Sequence, residues 1–194
     1  MTKGRLEAFS DGVLAIIITI MVLEMKVPHE ATLESLKPLL PVALSYILGF
    51  INIGIYWNNH HHMLHISKQV NGRILWANMH LLFWLSLFPF ATGWMGENNF
   101  ATWPVVLYGG VSFMAGMAYY LMAHCLASLH GKDSALAIAL GKDRKGIISV
   151  IVYAIGIGLT FFQPWLGVAC YFAVACMWFI PDSRIESKIN TGEH

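Results

Sequence analysis

Hydrophobic positions along this chain fall into long blocks rather than the short alternation of half-buried strands. The blocks run at about Leu6–Met25, Pro41–Tyr56, Leu75–Trp94, Trp103–Leu126, Ile147–Phe162 and Trp165–Ile180. A helix that crosses a bilayer needs roughly 17–25 predominantly apolar residues, so each block reads as a spanning helix, the last two being short. Those two stay separate because Gln163-Pro164 lies between them, and proline disfavours helix at the residue before it. Pro28, Pro38, Pro41, Pro104, Pro164 and Pro181 sit at the proposed boundaries, where helix stop and start signals belong. Pro89 alone lies inside a block, and a kink is expected there. Thr32–Lys37, Ser134–Leu140 and the tail after Pro181 have room for a surface helix of a turn or two. The expectation is an all-α polytopic membrane protein, one six-helix transmembrane domain over residues 1–194, without internal repeats.

Composition strengthens that reading. The chain is 57% hydrophobic and 12% charged, with a mean hydropathy of +0.59. A globular domain carries roughly 25% charged residues, so too little polar surface remains to face water. The charges are also segregated, with none from Val42 to Asn59, Ile74 to Gly96 or Ile147 to Pro181. Six spans put both termini on one side, with Lys3, Arg5, Lys68, Arg73, Lys132, Lys142, Arg144, Lys145, Arg184 and Lys188, against Lys26 and Lys37 on the other. That asymmetry orients both termini to the cytoplasm of a multi-pass cell-membrane protein. A net charge of +1 argues against a nucleic-acid partner. Cys125, Cys170 and Cys176 all lie in spans, a poor setting for a disulfide framework. The first apolar run has no Ala-x-Ala-like site after it, so the first helix is expected to stay.

The first helix carries the most unusual pattern. Arg5-Leu-Glu-Ala-Phe9-Ser10-Asp11 opens directly into the apolar run Gly12 to Leu23. An aspartate near hydrocarbon costs roughly 2.5–3.5 kcal/mol on insertion scales, so it must face protein or water. At about 100° per residue, Gly12, Ile16, Thr19, Ile20, Leu23 and Val27 form one stripe, with Asp11 and Ser10 turned away from it. If Ser10 and Asp11 meet protein, the stripe faces either lipid or a central axis. Thr19 among isoleucines suits an axis, because its hydroxyl can replace a water on a passing cation.

These residues resemble a known family. Arg5-x-x-x-Phe9-Ser10-Asp11, followed by an Ile-rich helix with Thr19 and Leu23, is similar to the prokaryotic branch of the endolysosomal potassium channel family (transmembrane protein 175). Tyr56-Trp57-Asn58-Asn59-His60-His61 is similar to that family's Tyr-Trp-x-Asn-His-His ending of the second helix. The resemblance implies a six-helix subunit with no re-entrant filter loop, assembled as a homotetramer in the lipid bilayer with four first helices lining the pore. It implies that Ile16 is the narrowest ring, that Ile20 and Leu23 form further hydrophobic rings, and that Thr19 is the polar ring linked to potassium preference. It also implies that Arg5, Phe9, Ser10, Asp11, Trp57, Asn59, His60 and His61 form the family motif and a supporting polar network. Gly12 departs from the family's common Ala, and the β-branched Ile16 makes a stiffer ring than leucine would.

The chemistry agrees with that resemblance. No Thr-Val-Gly-Tyr-Gly carbonyl filter occurs, nor any Gly-Tyr pair. Discrimination among monovalent cations then has to come from dehydration at a narrow apolar ring, and such rings gate by dewetting. Potassium sheds water more readily than sodium, so the ring favours it. Glu24, Glu30 and Glu34 near the outer mouth can concentrate cations or form an ordinary acidic loop.

Nine histidines leave two other readings open. His60, His61, His62 and His65 end the second helix, with His61 and His65 spaced i, i+4 as metal ligands often are. That spacing keeps a transition-metal transporter as an alternative. His80 and His124 lie inside spans and keep a membrane haem oxidoreductase as a weaker one. No nucleophilic triad, phosphate loop or paired carboxylates are present, so no enzyme is expected. No cofactor is expected either, and potassium ions are the permeant species.

Overall fold

A computed structural model describes residues 2–67, 69–131 and 144–179. Among these, seven α-helices and one 3-10 segment account for nearly every residue: α1 (Lys3–Val22), the 3-10 segment Leu33–Leu39, α2 (Leu40–Ile66), α3 (Gly72–Ser86), α4 (Phe88–Glu97), α5 (Thr102–His130), α6 (Arg144–Thr160) and α7 (Pro164–Phe179). The helices 33–66, 72–97 and 102–130 are long and apolar enough to cross a membrane. Helices α6 and α7 are apolar but shorter, and α1 carries Lys3, Arg5, Glu7 and Asp11 in its first three turns. The expected surface segment Thr32–Lys37 matches the 3-10 turn that leads into α2, whereas Ser134–Leu140 and the tail after Pro181 lie outside the described residues.

Proline explains the break between α3 and α4. Pro89 has no N–H for the Leu85 carbonyl, and its ring crowds that carbonyl. The chain turns at Leu87 instead, whose N–H bonds to Trp84 O at 3.3 Å before Ala91 N resumes the helix on Leu87 O at 3.0 Å. The expected third span is therefore one rod in two pieces. Helix α2 runs ten residues further than its apolar block, because nothing between Trp57 and His65 breaks it. Those extra turns carry Trp57, His60, His61 and His65.

Helix α1 lies against α2, α3 and α4, and α5 packs on α3, α4, α6 and α7. A buried polar cluster joins three rods at mid-bundle. Asn52 Nδ2 donates to Tyr108 Oη at 2.6 Å, and Tyr153 Oη donates to Asn52 Oδ1 at 3.3 Å. Small residues permit the tightest contacts. A Cβ at Gly96 would stand 2.6 Å from Val42 Cα, so α4 and α2 touch backbone to backbone there. Small pairs on α5 and α6 behave differently from one another. Ser112 is buried and Gly116 half-buried within the subunit, while Ala154 and Gly158 face outward. The close approaches of α6 and α7 fall instead at Gly156 and Gly167, where Tyr171 and Thr160 fill the space.

Candidate functional site

The amphipathic division of α1 places the site. Leu6, Ser10, Leu14, Ile17 and Met21 are buried against the neighbouring helices. The opposite face is left bare by its own subunit: Ile16 is 57% exposed, Ile20 43% and Leu23 75%. Gly12 and Thr19 share that bare face, and Val27 beyond the helix is exposed as well. Thr19 Oγ1 donates to Ile16 O at 2.9 Å. Its single proton is thereby committed to the backbone, and the hydroxyl oxygen keeps its capacity to accept.

Polar residues anchor the other face. Ser10 Oγ donates to Leu6 O at 2.8 Å and receives Asn78 Nδ2 at 3.0 Å. Asn78 Oδ1 lies 2.8 Å from His60 Nε2. An amide oxygen only accepts, so His60 carries its proton on Nε2. The result is a directed chain, His60 to Asn78 to Ser10 to Leu6 O, linking α2, α3 and α1 with every member buried. His60 Nδ1 at its start has no partner. At the next residue of α1, Trp57 Nε1 donates to Asp11 Oδ1 at 3.0 Å.

Closer to the chain start, His61 Nδ1 lies 3.2 Å from Glu7 Oε1. The His61 ring stacks between Trp57 and His65 at centroid distances of 6.1 and 6.0 Å. Lys3 Nζ donates to His65 O at 3.1 Å.

Not every motif residue joins this anchor. Arg5 is exposed and Phe9 is 47% exposed, both on the side of α1 that bears Ile16. Asn59 turns toward α5, where its carbonyl accepts Tyr119 Oη at 3.5 Å and its amide bonds to Ile55 O at 2.8 Å. Two residues outside the motifs complete the anchor instead: Asn78 bridges three helices, and Glu7 meets His61. Asn78 sits inside an apolar block with no local mark of its role. Glu7 lies two residues after Arg5, on the face opposite Ile16, which is the signal that could have found it.

At the far end, Lys26 Nζ bonds to Glu97 Oε1 at 3.0 Å, and Glu34 pairs with Lys37 at 3.6 Å. The hydrogen bond and charge of Glu97 raise the Lys26 ammonium above its ordinary pKa. Both partners are largely exposed, so the pair adds little to stability. The Glu24 carboxylate lies against the Gly93 backbone. Among the described residues, no three His, Cys, Asp or Glu side chains converge as metal ligands would. His80 Nε2 accepts Trp84 Nε1 at 3.0 Å, and His124 Nδ1 bonds to Tyr120 O at 3.0 Å.

Over 189 residues the chain is 53% identical to a potassium channel of Chryseobacterium sp. (strain P1-3), a match covering 97% of this chain and 98% of that one. A family model, endosomal/lysosomal potassium channel TMEM175, matches residues 5–89. The chain belongs to the TMEM175 family. The matched stretch holds Ser10, Asp11, Trp57, His60 and Asn78, and thus the whole polar anchor. A crystal structure of a lysosomal potassium-selective channel TMEM175 homolog from Chamaesiphon minutus superposes with a TM-score of 0.77 at 27% identity, over 92% of this chain and 96% of that one. The endosomal/lysosomal proton channel TMEM175 of Gallus gallus is 37% identical over 81 residues, which make up 35% of this chain and 16% of that one. TMEM175 relatives are named as channels, not enzymes.

Proposed function

We propose that this protein is a potassium-preferring cation channel whose pore is lined by α1 from four identical subunits. The observation that carries the reading is the bare face of α1. Ile16, Thr19, Ile20 and Leu23 are left uncovered by a helix whose other face is held by buried hydrogen bonds. One helix cannot enclose a path for ions, so several copies must share an axis, and closed rotational symmetry is the common way for identical chains to do so. In a four-fold ring, Ile16 forms the dry constriction, with Ile20 and Leu23 as apolar rings on its outer side. Arg5 and Phe9 then sit at the cytoplasmic mouth, and both termini face the cytoplasm by the asymmetry of basic residues.

Ion preference follows from what the rings lack. No carbonyl cage is built on α1, so a cation passing Ile16 loses water with little in return. The smaller, more tightly hydrated sodium ion is penalised more. Thr19 offers a hydroxyl oxygen one turn beyond Ile16 and softens that penalty. Thr19→Val keeps the shape and removes the oxygen, so it lowers the potassium preference, while Thr19→Ser keeps most of it. Purified protein in planar bilayers under bi-ionic potassium and sodium gives the measurement. The expected result is a reversal potential that shifts toward zero in Thr19→Val and stays near the wild-type value in Thr19→Ser. Equal shifts in the two variants, or none in either, would remove Thr19 from the mechanism.

A further inference from the structure

Glu7 lies nine residues before Ile16, which at 100° per residue is half a turn around the helix. It therefore projects from α1 directly away from the bare face, and His61 of α2 receives it there, 3.2 Å away. A pull at Glu7 draws the first turns of α1 straight back from the proposed axis. The strength of that pull depends on the charge of one imidazole. Neutral His61 offers Glu7 a single N–H from Nδ1, whereas the imidazolium adds an opposite charge to the same hydrogen bond. Histidine is the side chain whose ordinary titration falls nearest to cytoplasmic pH.

Building on the channel reading above, we propose that Glu7 and His61 form a proton-sensitive tether that sets the width of the cytoplasmic mouth. Acidification of the cytoplasmic side strengthens the tether, holds the start of α1 against α2 and raises the current. Alkalinisation releases it and lowers the current.

The surroundings suit this role. The His61 side chain is 44% exposed and Glu7 24%, so protons reach the pair while most solvent screening is kept from the carboxylate. The other titratable or charged groups near it are accounted for. On α1, Asp11 is engaged by Trp57, Lys3 is engaged by the His65 carbonyl, and Arg5 is exposed on the side of the helix away from Glu7. On α2, His62 and His65 flank the ring, and His60 points the other way into Asn78. From α3, the charged residue at this end is Arg73 in the first turn, which is exposed, and Asn78 further along is uncharged. Trp57 connects the tether to the rest of the anchor, because it stacks on His61 and bonds to Asp11.

The test uses the full-length chain in planar bilayers with equal potassium on both sides, stepping the cytoplasmic pH from 8 to 5.5. Wild-type current rises roughly two- to fivefold, the range open to a part-exposed ion pair. His61→Gln and Glu7→Gln, which keep a hydrogen-bonding side chain but remove the charge, flatten that response. His65→Gln retains it. Tryptophan emission of the purified protein is read alongside, because an imidazolium quenches a stacked indole, and the acid quench of wild type shrinks in His61→Gln. A wild-type current that ignores pH, or the same response in His61→Gln, overturns the tether and leaves the channel reading standing. Absence of potassium current at every pH overturns the channel reading. The emission titration then decides the tether alone: a quench unchanged in His61→Gln overturns it.

Discussion

Ile16→Asn raises the potassium current and brings the potassium and sodium permeabilities closer together. The side chain changes little in size, but an amide replaces hydrocarbon at the narrowest ring. Water then stays in the constriction, and a passing cation keeps part of its shell. A gain on the order of tenfold in conductance corresponds to about 1.4 kcal/mol off the barrier. Both ions benefit, and sodium benefits more because it lost more at the dry ring, so the bi-ionic reversal potential moves toward zero. Ile16 is more than half exposed in the single subunit, so folding of the subunit is expected to survive. Current and reversal potential that both match wild type would mean the Ile16 face meets lipid.

Asn78→Ala has the largest expected effect on stability, exceeding that of Asp11→Ala. Asn78 is fully buried and satisfies Ser10 on α1 and His60 on α2 together. Its removal leaves the buried His60 ring with no partner at all, at about 1–3 kcal/mol, and takes from Ser10 the donor to its oxygen, although Ser10 keeps Leu6 O. Hydrogen bonds between membrane helices average only about 0.6 kcal/mol in double-mutant cycles, so the damage comes from the orphaned imidazole and the void rather than from the lost bonds. Asp11 also makes a charged hydrogen bond, but to Trp57, which is 46% exposed, and water can replace that partner. Thermal unfolding in detergent should therefore rank Asn78→Ala well below Asp11→Ala and wild type. The reverse order would move the anchor of α1 from the buried chain to the Asp11–Trp57 bond.

Apolar blocks, prolines and the helical wheel carried much of the architecture in the bare sequence. The break near Pro89, the separation of α6 and α7 at Pro164 and the 3-10 turn before α2 all follow from local backbone chemistry. The two faces of α1 were legible as well, since a 100° step separates Ile16 from Ser10 and Asp11 whatever surrounds the helix. Partners distant in sequence were not legible. Nothing near Asn78 marks it as the bridge between Ser10, 68 residues away, and His60, 18 residues away. The same holds for Asn52 with Tyr108 and Tyr153, a cluster assembled from three rods. Helix α2 outran its apolar block because hydropathy measures where lipid ends rather than where a helix ends. Arg5 and Asp11 sit six residues apart and look like one polar cluster, but that spacing puts them on different sides of α1. Ala154 and Gly158 have suitable spacing for a helix contact, but spacing cannot say which face meets a neighbour inside the subunit.

The central claim, that the bare face of α1 lines the ion path, is tested most directly by chemical modification of single cysteines. The background replaces Cys125, Cys170 and Cys176, which form no disulfide in the described structure, with alanine. Leu23→Cys puts a thiol on the outer end of the bare face, and Met21→Cys puts one on the buried face. A membrane-impermeant, thiol-reactive ammonium reagent is then added to the outer side during potassium recording. The account predicts that current through Leu23→Cys falls sharply and irreversibly, because a fixed positive charge repels cations at the mouth of the pore, while Met21→Cys is untouched. Loss of current in Met21→Cys with Leu23→Cys unaffected would contradict it and turn α1 around.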